Sequence, residues 1–458
     1  MDELTQILRH AAEQAAGYRR SLSERPVARP VDHTALRAAF AAPLDRPGTD
    51  PRTVIDELVA AAGPGLVGSA GPRFFGFVVG GALPAATAAD ILTTGWDQNA
   101  FNAVLSPAAI AAEEAAGGRL KELLGLPATA SVGFVTGGQA ANTAGLAAAR
   151  QHLFAEAGWD VGRRGLAGAP RLRVVAGEER HATVDRSLRL LGLGTDCLRP
   201  VRADDRGALD TEDLRRVLAA EPDALTIVCA QAGNVNTGAC DDLRTICDLT
   251  HAIGGWVHVD GAFGLWAAAS PATRHLVDGV ERADSWACDG HKWLNVPYDC
   301  GYAFCSRPAV HADALSYSAS YLTRAEATPA GGADYTAESS RRARGFATWA
   351  ALRELGRDGV TELVDRCCAL ARRFADGLSA AGFDVVNEVT LNQVLVGFGS
   401  DARTDAVVQA VQEDGTCWVG ATTWRGRRLM RISVSGHATT EADVDRSVAA
   451  MVRQARRL

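Results

Sequence analysis

The stretch from Trp256 to Cys305 constrains what this chain can fold into more than any other. It reads Trp-Val-His-Val-Asp260-Gly-Ala-Phe-Gly, then Ala-Asp-Ser-Trp-Ala-Cys-Asp-Gly-His291-Lys292-Trp-Leu, then Cys-Gly-Tyr-Ala-Phe-Cys. Its apolar runs are short and bounded by Gly or Asp, the pattern of strands buried in a sheet. In an open α/β sheet, ligands bind where loops leave the carboxyl ends of the strands. Two of these runs end at Asp260 and at Asp289-Gly-His291-Lys292. As neighbours they would deliver one carboxylate and one amine to a common crevice.

Lys292 is conspicuous because lysine is so rare here. The chain has 47 lysines and arginines, and only Lys121 and Lys292 are lysines. Arginine is effectively always protonated, whereas a buried lysine can lose its proton and attack a carbonyl. Lys121 lies in Arg-Leu-Lys-Glu-Leu-Leu, a helical surface pattern that needs no special role. The alternative for Lys292 is an ion pair with Asp289 or Asp299, since buried charges are usually paired. Together with Asp260, however, it forms the pair that a pyridoxal phosphate site requires. The lysine forms a Schiff base with the coenzyme's aldehyde, and an acidic group keeps the pyridine nitrogen protonated so that the ring withdraws electrons.

A third stretch fits the same coenzyme. Ser131 to Asn142 reads as a strand, a turn at Thr136-Gly137-Gly138 and the start of an alanine-rich helix. Glycines let backbone approach an anion, and a helix amino end offers free N–H groups with a favourable dipole. This turn is the expected phosphate cradle. The rival, a nicotinamide fingerprint, is not supported: Gly-x-Gly-x-x-Gly occurs only as Gly63-Pro-Gly65-Leu-Val-Gly68, in the segment that reads as helical and with no strand before it, and Gly192-Leu-Gly194 lacks both the third glycine and the strand before it.

These motifs resemble the group II pyridoxal-phosphate amino acid decarboxylases, the family of glutamate and aromatic-L-amino-acid decarboxylases, within the aspartate aminotransferase fold (fold type I). The family's Asp-x-Ala-x-x-Gly turn is present as Asp260-Gly-Ala262-Phe-Gly264, with the glycine one place early, and its His-Lys-Trp as His291-Lys292-Trp293. The resemblance runs from about Pro72 to Gly436. It implies a mostly parallel, seven-stranded α/β large domain, an N-terminal helical segment and a small α+β C-terminal domain. The expected boundaries are 1–70, 71–340 and 341–458.

The same resemblance distributes roles. Lys292, His181 and Tyr321 are the expected catalytic residues, with His181 stacked over the pyridine ring and Tyr321 returning a proton to the α-carbon from a mobile loop. Asp260, Ala262, Thr136, Gly137, Gly138, Asn234, His291 and Ser340 join Lys292 and His181 in holding the coenzyme. Asn234 stands where the family has a threonine, and Ser340 is placed to reach a partner subunit's phosphate. Phe77, Val78, Val79, Gly80 and Phe101 are expected near the substrate side chain, and Tyr335 is a second candidate for the loop tyrosine. Arg431 in Met-Arg-Ile-Ser-Val lies where aminotransferases of this fold grip a carboxylate, and is left as structural or substrate-positioning. The implied assembly is a homodimer with active sites at the subunit interface.

Composition excludes other classes. Net charge is −7 and the arginines are dispersed, which argues against a nucleic-acid surface. Met1 to Leu22 has no apolar signal-peptide core, and no stretch is long and apolar enough to span a membrane. The ten cysteines form no Cys-x-x-Cys pattern, so free thiols in a reducing cytoplasm are expected and a metal site is not. Beyond 345, helices are expected at 346–356 and 359–381. A strand pair at 383–388 and 392–399, a hairpin from Cys417 to Ser435 and a final helix opened by Thr440-Glu-Ala-Asp follow. The expected reaction is decarboxylation of an L-amino acid with an aromatic or other bulky side chain to the amine. The alternatives are decarboxylation coupled to oxidative deamination, giving an aldehyde, β-elimination on an S-conjugated cysteine, and a non-catalytic paralogue.

Overall fold

Strands and helices alternate through the middle of the chain as the apolar runs predict. The computed structural model describes residues 2–41, 44, 47–317 and 331–458. Seven strands make the larger sheet: β1 (Ser131–Val135), β2 (Leu172–Gly177), β3 (Leu198–Val201), β4 (Leu225–Gln231), β5 (Trp256–Asp260), β6 (Ser285–Asp289) and β7 (Gly301–Cys305). Their order is β1-β7-β6-β5-β4-β2-β3. The pairings from β3 through β2, β4 and β5 to β6 are parallel, and β7 runs antiparallel to both β6 and β1.

All residues of β5, β6 and β7 are buried, which explains why their sequence shows continuous apolar character rather than alternation. The Gly138–Glu156 helix packs Leu146, Leu153 and Phe154 into a cluster with Val174, Ile227 and Trp256. Fully burying a side chain such as Phe154 contributes about 2 kcal/mol. Strand β3 was not expected. Its Leu-Arg-Pro-Val is an edge strand, half-buried and carrying a proline, so it has neither alternation nor a continuous apolar run.

The chain divides into two compact units. One comprises Gly80–Ala371 with Asn387–Gln393 and carries the seven-stranded sheet. The other comprises Met1–Val79, Arg372–Val386 and Val394–Leu458. In the second unit the N-terminal segment is tied to the C-terminal part. The Val27 N–H donates to the Gly415 carbonyl at 2.8 Å, and the buried Arg73 guanidinium reaches Ser23 O at 2.6 Å and Asp443 Oδ1 at 3.2 Å. A four-stranded sheet of order β10-β11-β9-β8 is built from β8 (Asp384–Val385), β9 (Gln393–Gly397), β10 (Gly420–Trp424) and β11 (Arg427–Ser433). Strands β10 and β11 form the antiparallel hairpin expected between Cys417 and Ser435.

The Arg344–Ala380 helix is two helices joined at Gly356, whose φ of 62° and ψ of −174° are non-helical, as the break expected after 356 requires. Thr440 and Asp443 cap the last helix reciprocally. All ten cysteines are free thiols. Among the described residues no cluster could hold a metal ion, and no helix is long and apolar enough to cross a membrane.

Candidate active site

Strands β5 and β6 are parallel neighbours, with Asp260 opposite Ala287, so the loops leaving them lie side by side. Two backbone bonds hold these loops together: Gly261 N–H to Ala287 O and Asp289 N–H to Ala262 O, each 2.9 Å. Asp260 is buried. Its Oδ1 accepts from the Ala262 N–H at 3.2 Å and its Oδ2 from Asn142 Nδ2 at 3.0 Å.

Strand β1 delivers Thr136, Gly137 and Gly138 to the same end of the sheet, where the Gly138–Glu156 helix begins. The Gly138 N–H donates to Asp289 Oδ1 at 2.5 Å. A Cβ on Gly138 would lie 2.9 Å from Asp289 Oδ2, and one on Gly137 2.8 Å from His291 Cε1, so a side chain at either place would have to push the Asp289 carboxylate or the His291 ring aside. Lys292 Nζ lies 2.9 Å from Asp289 Oδ2, and His291 Nε2 lies 3.6 Å from Asp289 Oδ1. The ion pair weighed in the sequence is therefore present, with Asp289; Asp299 pairs with Arg344 instead.

His291 accepts the Cys300 N–H on Nδ1 at 3.1 Å and stacks on Tyr298 with ring centroids 4.4 Å apart. Burial pulls its pKa down, opposed by the Asp289 charge. With Nδ1 accepting, the neutral ring presents Nε2–H toward Asp289.

His181 is the N-cap of the Ala182–Leu190 helix, as a lone histidine at a helix start commonly is; its exposed ring accepts from the Thr183 N–H at 3.3 Å. Asn234 is engaged within its own loop. Its Oδ1 accepts from the Asn236 and Thr237 N–H groups at 2.8 and 3.2 Å, and its Nδ2 donates to the Glu179 carbonyl of the loop after β2 at 3.3 Å. The amide that reaches Asp260 is that of Asn142. Gly80 abuts the lysine loop, where a Cβ would sit 1.8 Å from the Lys292 carbonyl oxygen. Phe101 is half-buried and its carbonyl accepts the Ala333 N–H, while Ser340 is exposed. Tyr335 is stacked on His311 at 4.9 Å, and a Cβ on Gly133 would lie 2.2 Å from its carbonyl oxygen, so it packs on β1. Tyr321 lies outside the described residues.

In the other unit, Phe77 is exposed at a φ of 60° and stacks on Trp418, with Val78 buried and Val79 half-buried beside it. Arg431 donates to the Phe77 carbonyl at 3.1 Å.

Asn142, His258 and Asp289 are participants that motif reading missed. A signal existed for two of them. His258 precedes Asp260 by two residues and so shares its face of β5, and Asn142 lies one turn into the cradle helix.

The residues at the Lys292 end fit pyridoxal phosphate. The cradle is bare glycine backbone in which a Cβ would crowd His291 and Asp289, its helix N–H already binds an anionic oxygen, and a lysine amine and a buried carboxylate stand at the ends of adjacent strands.

Residues 45–398 match the family model described as the pyridoxal-dependent decarboxylase conserved domain. The chain is 29% identical to tryptophan decarboxylase 1 of Oryza sativa subsp. japonica, over 97% of this chain and 92% of that protein. It is also 29% identical to human (Homo sapiens) cysteine sulfinic acid decarboxylase, over 82% of this chain and 80% of the relative. The crystal structure of Oryza sativa TDC with PLP and tryptamine superposes with a TM-score of 0.93, covering 100% of this chain and 98% of that one at 24% identity. Fold and site together define a lyase that uses pyridoxal 5'-phosphate. The chain belongs to the pyridoxal-dependent decarboxylase family, and the relatives it matches include amino acid decarboxylases and a phenylacetaldehyde synthase of a Rosa hybrid cultivar.

Proposed function

We propose that this enzyme converts an L-amino acid with a bulky, apolar side chain to its amine, at the site formed by Lys292 and Asp260. The observation that carries the reading is the pairing of β5 with β6, which brings those residues' loops together beside the Gly138 helix terminus. Bound pyridoxal phosphate supplies an electron sink for the bond that breaks at the substrate α-carbon.

The chain's own residues do the rest. Lys292 offers the amine that anchors the coenzyme's aldehyde, and Asp260, oriented by the Ala262 N–H and Asn142, keeps the proton on the pyridine nitrogen. Thr136, Gly137, Gly138 and His291 would hold the phosphate, and Ala262 would lie beside the ring. His181 would cover the ring face and help to place the substrate carboxylate. Tyr321 donates the proton that replaces carbon dioxide. A bulky apolar substrate is favoured by the sequence Phe77-Val-Val-Gly80 and by Phe101, which carry no charge. The enzyme acts as a homodimer in the cytoplasm, where its ten free thiols remain reduced.

The purified enzyme, incubated with a panel of amino acids, is scored for carbon dioxide, amine, aldehyde, ammonia and pyruvate. Amine and carbon dioxide in equal amounts are expected. Aldehyde with ammonia and hydrogen peroxide, at the expense of dioxygen, would replace the amine reading, and pyruvate would point to elimination. Lys292→Ala is expected to abolish both turnover and the roughly 420 nm Schiff-base absorbance of the substrate-free, coenzyme-loaded protein; persistence of turnover or of that band refutes the role given to Lys292.

A further inference from the structure

A chain of polar side chains, buried from Trp256 to Asp260 and reaching the surface at His181, runs behind the site, and its protons fit in one arrangement only. Trp256 Nε1 lies 2.9 Å from Ser285 Oγ, which lies 2.8 Å from His258 Nδ1. His258 Nε2 lies 2.9 Å from Asn142 Oδ1. Asn142 Nδ2 then reaches Asp260 Oδ2 at 3.0 Å and Thr183 Oγ1 at 3.1 Å, and Thr183 Oγ1 lies 2.9 Å from His181 Nδ1.

The ends of the chain fix its direction. A carboxylate accepts only, so the Asn142 amide turns its NH2 to Asp260 and its carbonyl to His258. His258 Nε2 must therefore carry a hydrogen. Burial pulls the His258 pKa down to about 4, so the ring is neutral and its Nδ1 accepts the Ser285 hydroxyl. Ser285 in turn accepts from the Trp256 indole, which can only donate. On the other branch Asn142 donates to Thr183, whose hydroxyl and backbone N–H both address His181 Nδ1. In neutral His181 the proton then sits on Nε2.

We propose that Asn142, His258 and Thr183 are positioning residues that set, from one shared amide, both the aim of the Asp260 carboxylate and the tautomer of His181. The inference rests on the coenzyme roles given above to Asp260 and His181. Its chemical content is that Asp260 receives a neutral donor instead of a cation. Its full negative charge stays available to the pyridine nitrogen, while His181 presents a donor. Gly145 belongs to the device: a Cβ there would fall 2.5 Å from His258 Cε1, so the imidazole lies against bare helix backbone.

The test is nitrogen-15 NMR of histidine-labelled protein, with His181 and His258 assigned by their Gln variants. The wild-type protein, prepared without coenzyme, should show both rings as the Nε2–H tautomer at neutral pH, and Thr183→Val should shift the His181 pattern. An Nδ1–H form of His258, or His181 signals indifferent to Thr183→Val, overturns the proposal. In the loaded enzyme, His258→Phe should lower kcat roughly tenfold or more through misplacement of Asp260, with KM nearly unchanged. His258→Gln, which restores an N–H donor, should recover most of it; equal losses in the two variants refute a positioning role. The tautomers should be unchanged in Lys292→Ala, so failure of the relay and failure of the Lys292 assignment are read separately.

Discussion

Asp289 is the residue whose environment says most about how this site handles charge. It is 2% exposed, caps the Gly138 N–H and faces the Lys292 ammonium, which is 24% exposed. A coenzyme phosphate dianion seeks the same helix terminus, and its aldehyde the same amine. On the coenzyme site proposed above, Asp289 would compete with the phosphate for the cradle. Asp289→Asn keeps an oxygen for the Gly138 N–H but removes the charge. The coenzyme-free variant should lose about 1 kcal/mol of stability, a small figure because Lys292 is partly solvated. Its affinity for pyridoxal phosphate should rise roughly tenfold, which corresponds to about 1.4 kcal/mol. Fluorescence titration with the coenzyme and thermal melts of the coenzyme-free protein measure the two effects. Weaker coenzyme binding in the variant would mean that Asp289 aids the phosphate and does not oppose it. That the Asp260 and Lys292 loops are neighbours was legible in the sequence, from two short apolar runs that each end in polar residues. The significance of Asp289 was not, because a carboxylate three residues before a lysine reads as a simple ion pair until the Gly138 helix is placed against it.

At the scale of elements, the turn after β6 is clamped to the segment that enters the Pro84–Trp96 helix. The Gly81 N–H donates to Asn295 Oδ1 at 2.5 Å and the Leu83 N–H to Asn295 O at 2.8 Å, with Gly80 pressed on the Lys292 carbonyl. Because a Cβ at Gly80 would sit 1.8 Å from that backbone oxygen, Gly80→Ala must displace one of two backbone segments. Overpacking of this kind costs about 1–3 kcal/mol. It should also lower kcat roughly a hundredfold by moving Lys292. A coenzyme-loaded Gly80→Ala protein with unchanged kcat would show that the clamp does not position the lysine. The sequence pattern identified the buried strands because each is a continuous apolar run, and the Gly356 break and the Thr440 cap because Gly and Thr act through local backbone chemistry. It could not reveal β3, whose pairing with β2 is made by backbone groups, or the Asn295 clamp, which joins residues far apart in the chain.

For the molecule as a whole, the distribution of exposed apolar side chains bears on assembly. Single exposed apolar residues are ordinary, but a concentration of them marks a contact surface. Between residues 91 and 105, Ile91, Leu92, Trp96, Val104 and Leu105 are all about half exposed or more. In the other unit, Val54, Leu58 and Val59 make an exposed stripe on the Pro51–Ala62 helix, which has no buried residue. A homodimer, the assembly that the family resemblance implies, would cover such surfaces. The chain should sediment at twice its 48.1 kDa mass. Trp96→Glu combined with Leu105→Glu, which buries two charges in such an interface, should shift it to monomer and reduce kcat by roughly tenfold or more. Leu190→Glu, at an isolated exposed position, should leave both mass and activity unchanged. A monomer in the wild-type protein, or full activity in the monomeric double variant, would mean that each chain completes its own site. Ser340 would then have no partner phosphate to reach, and the whole reaction would have to be assigned to residues of one subunit.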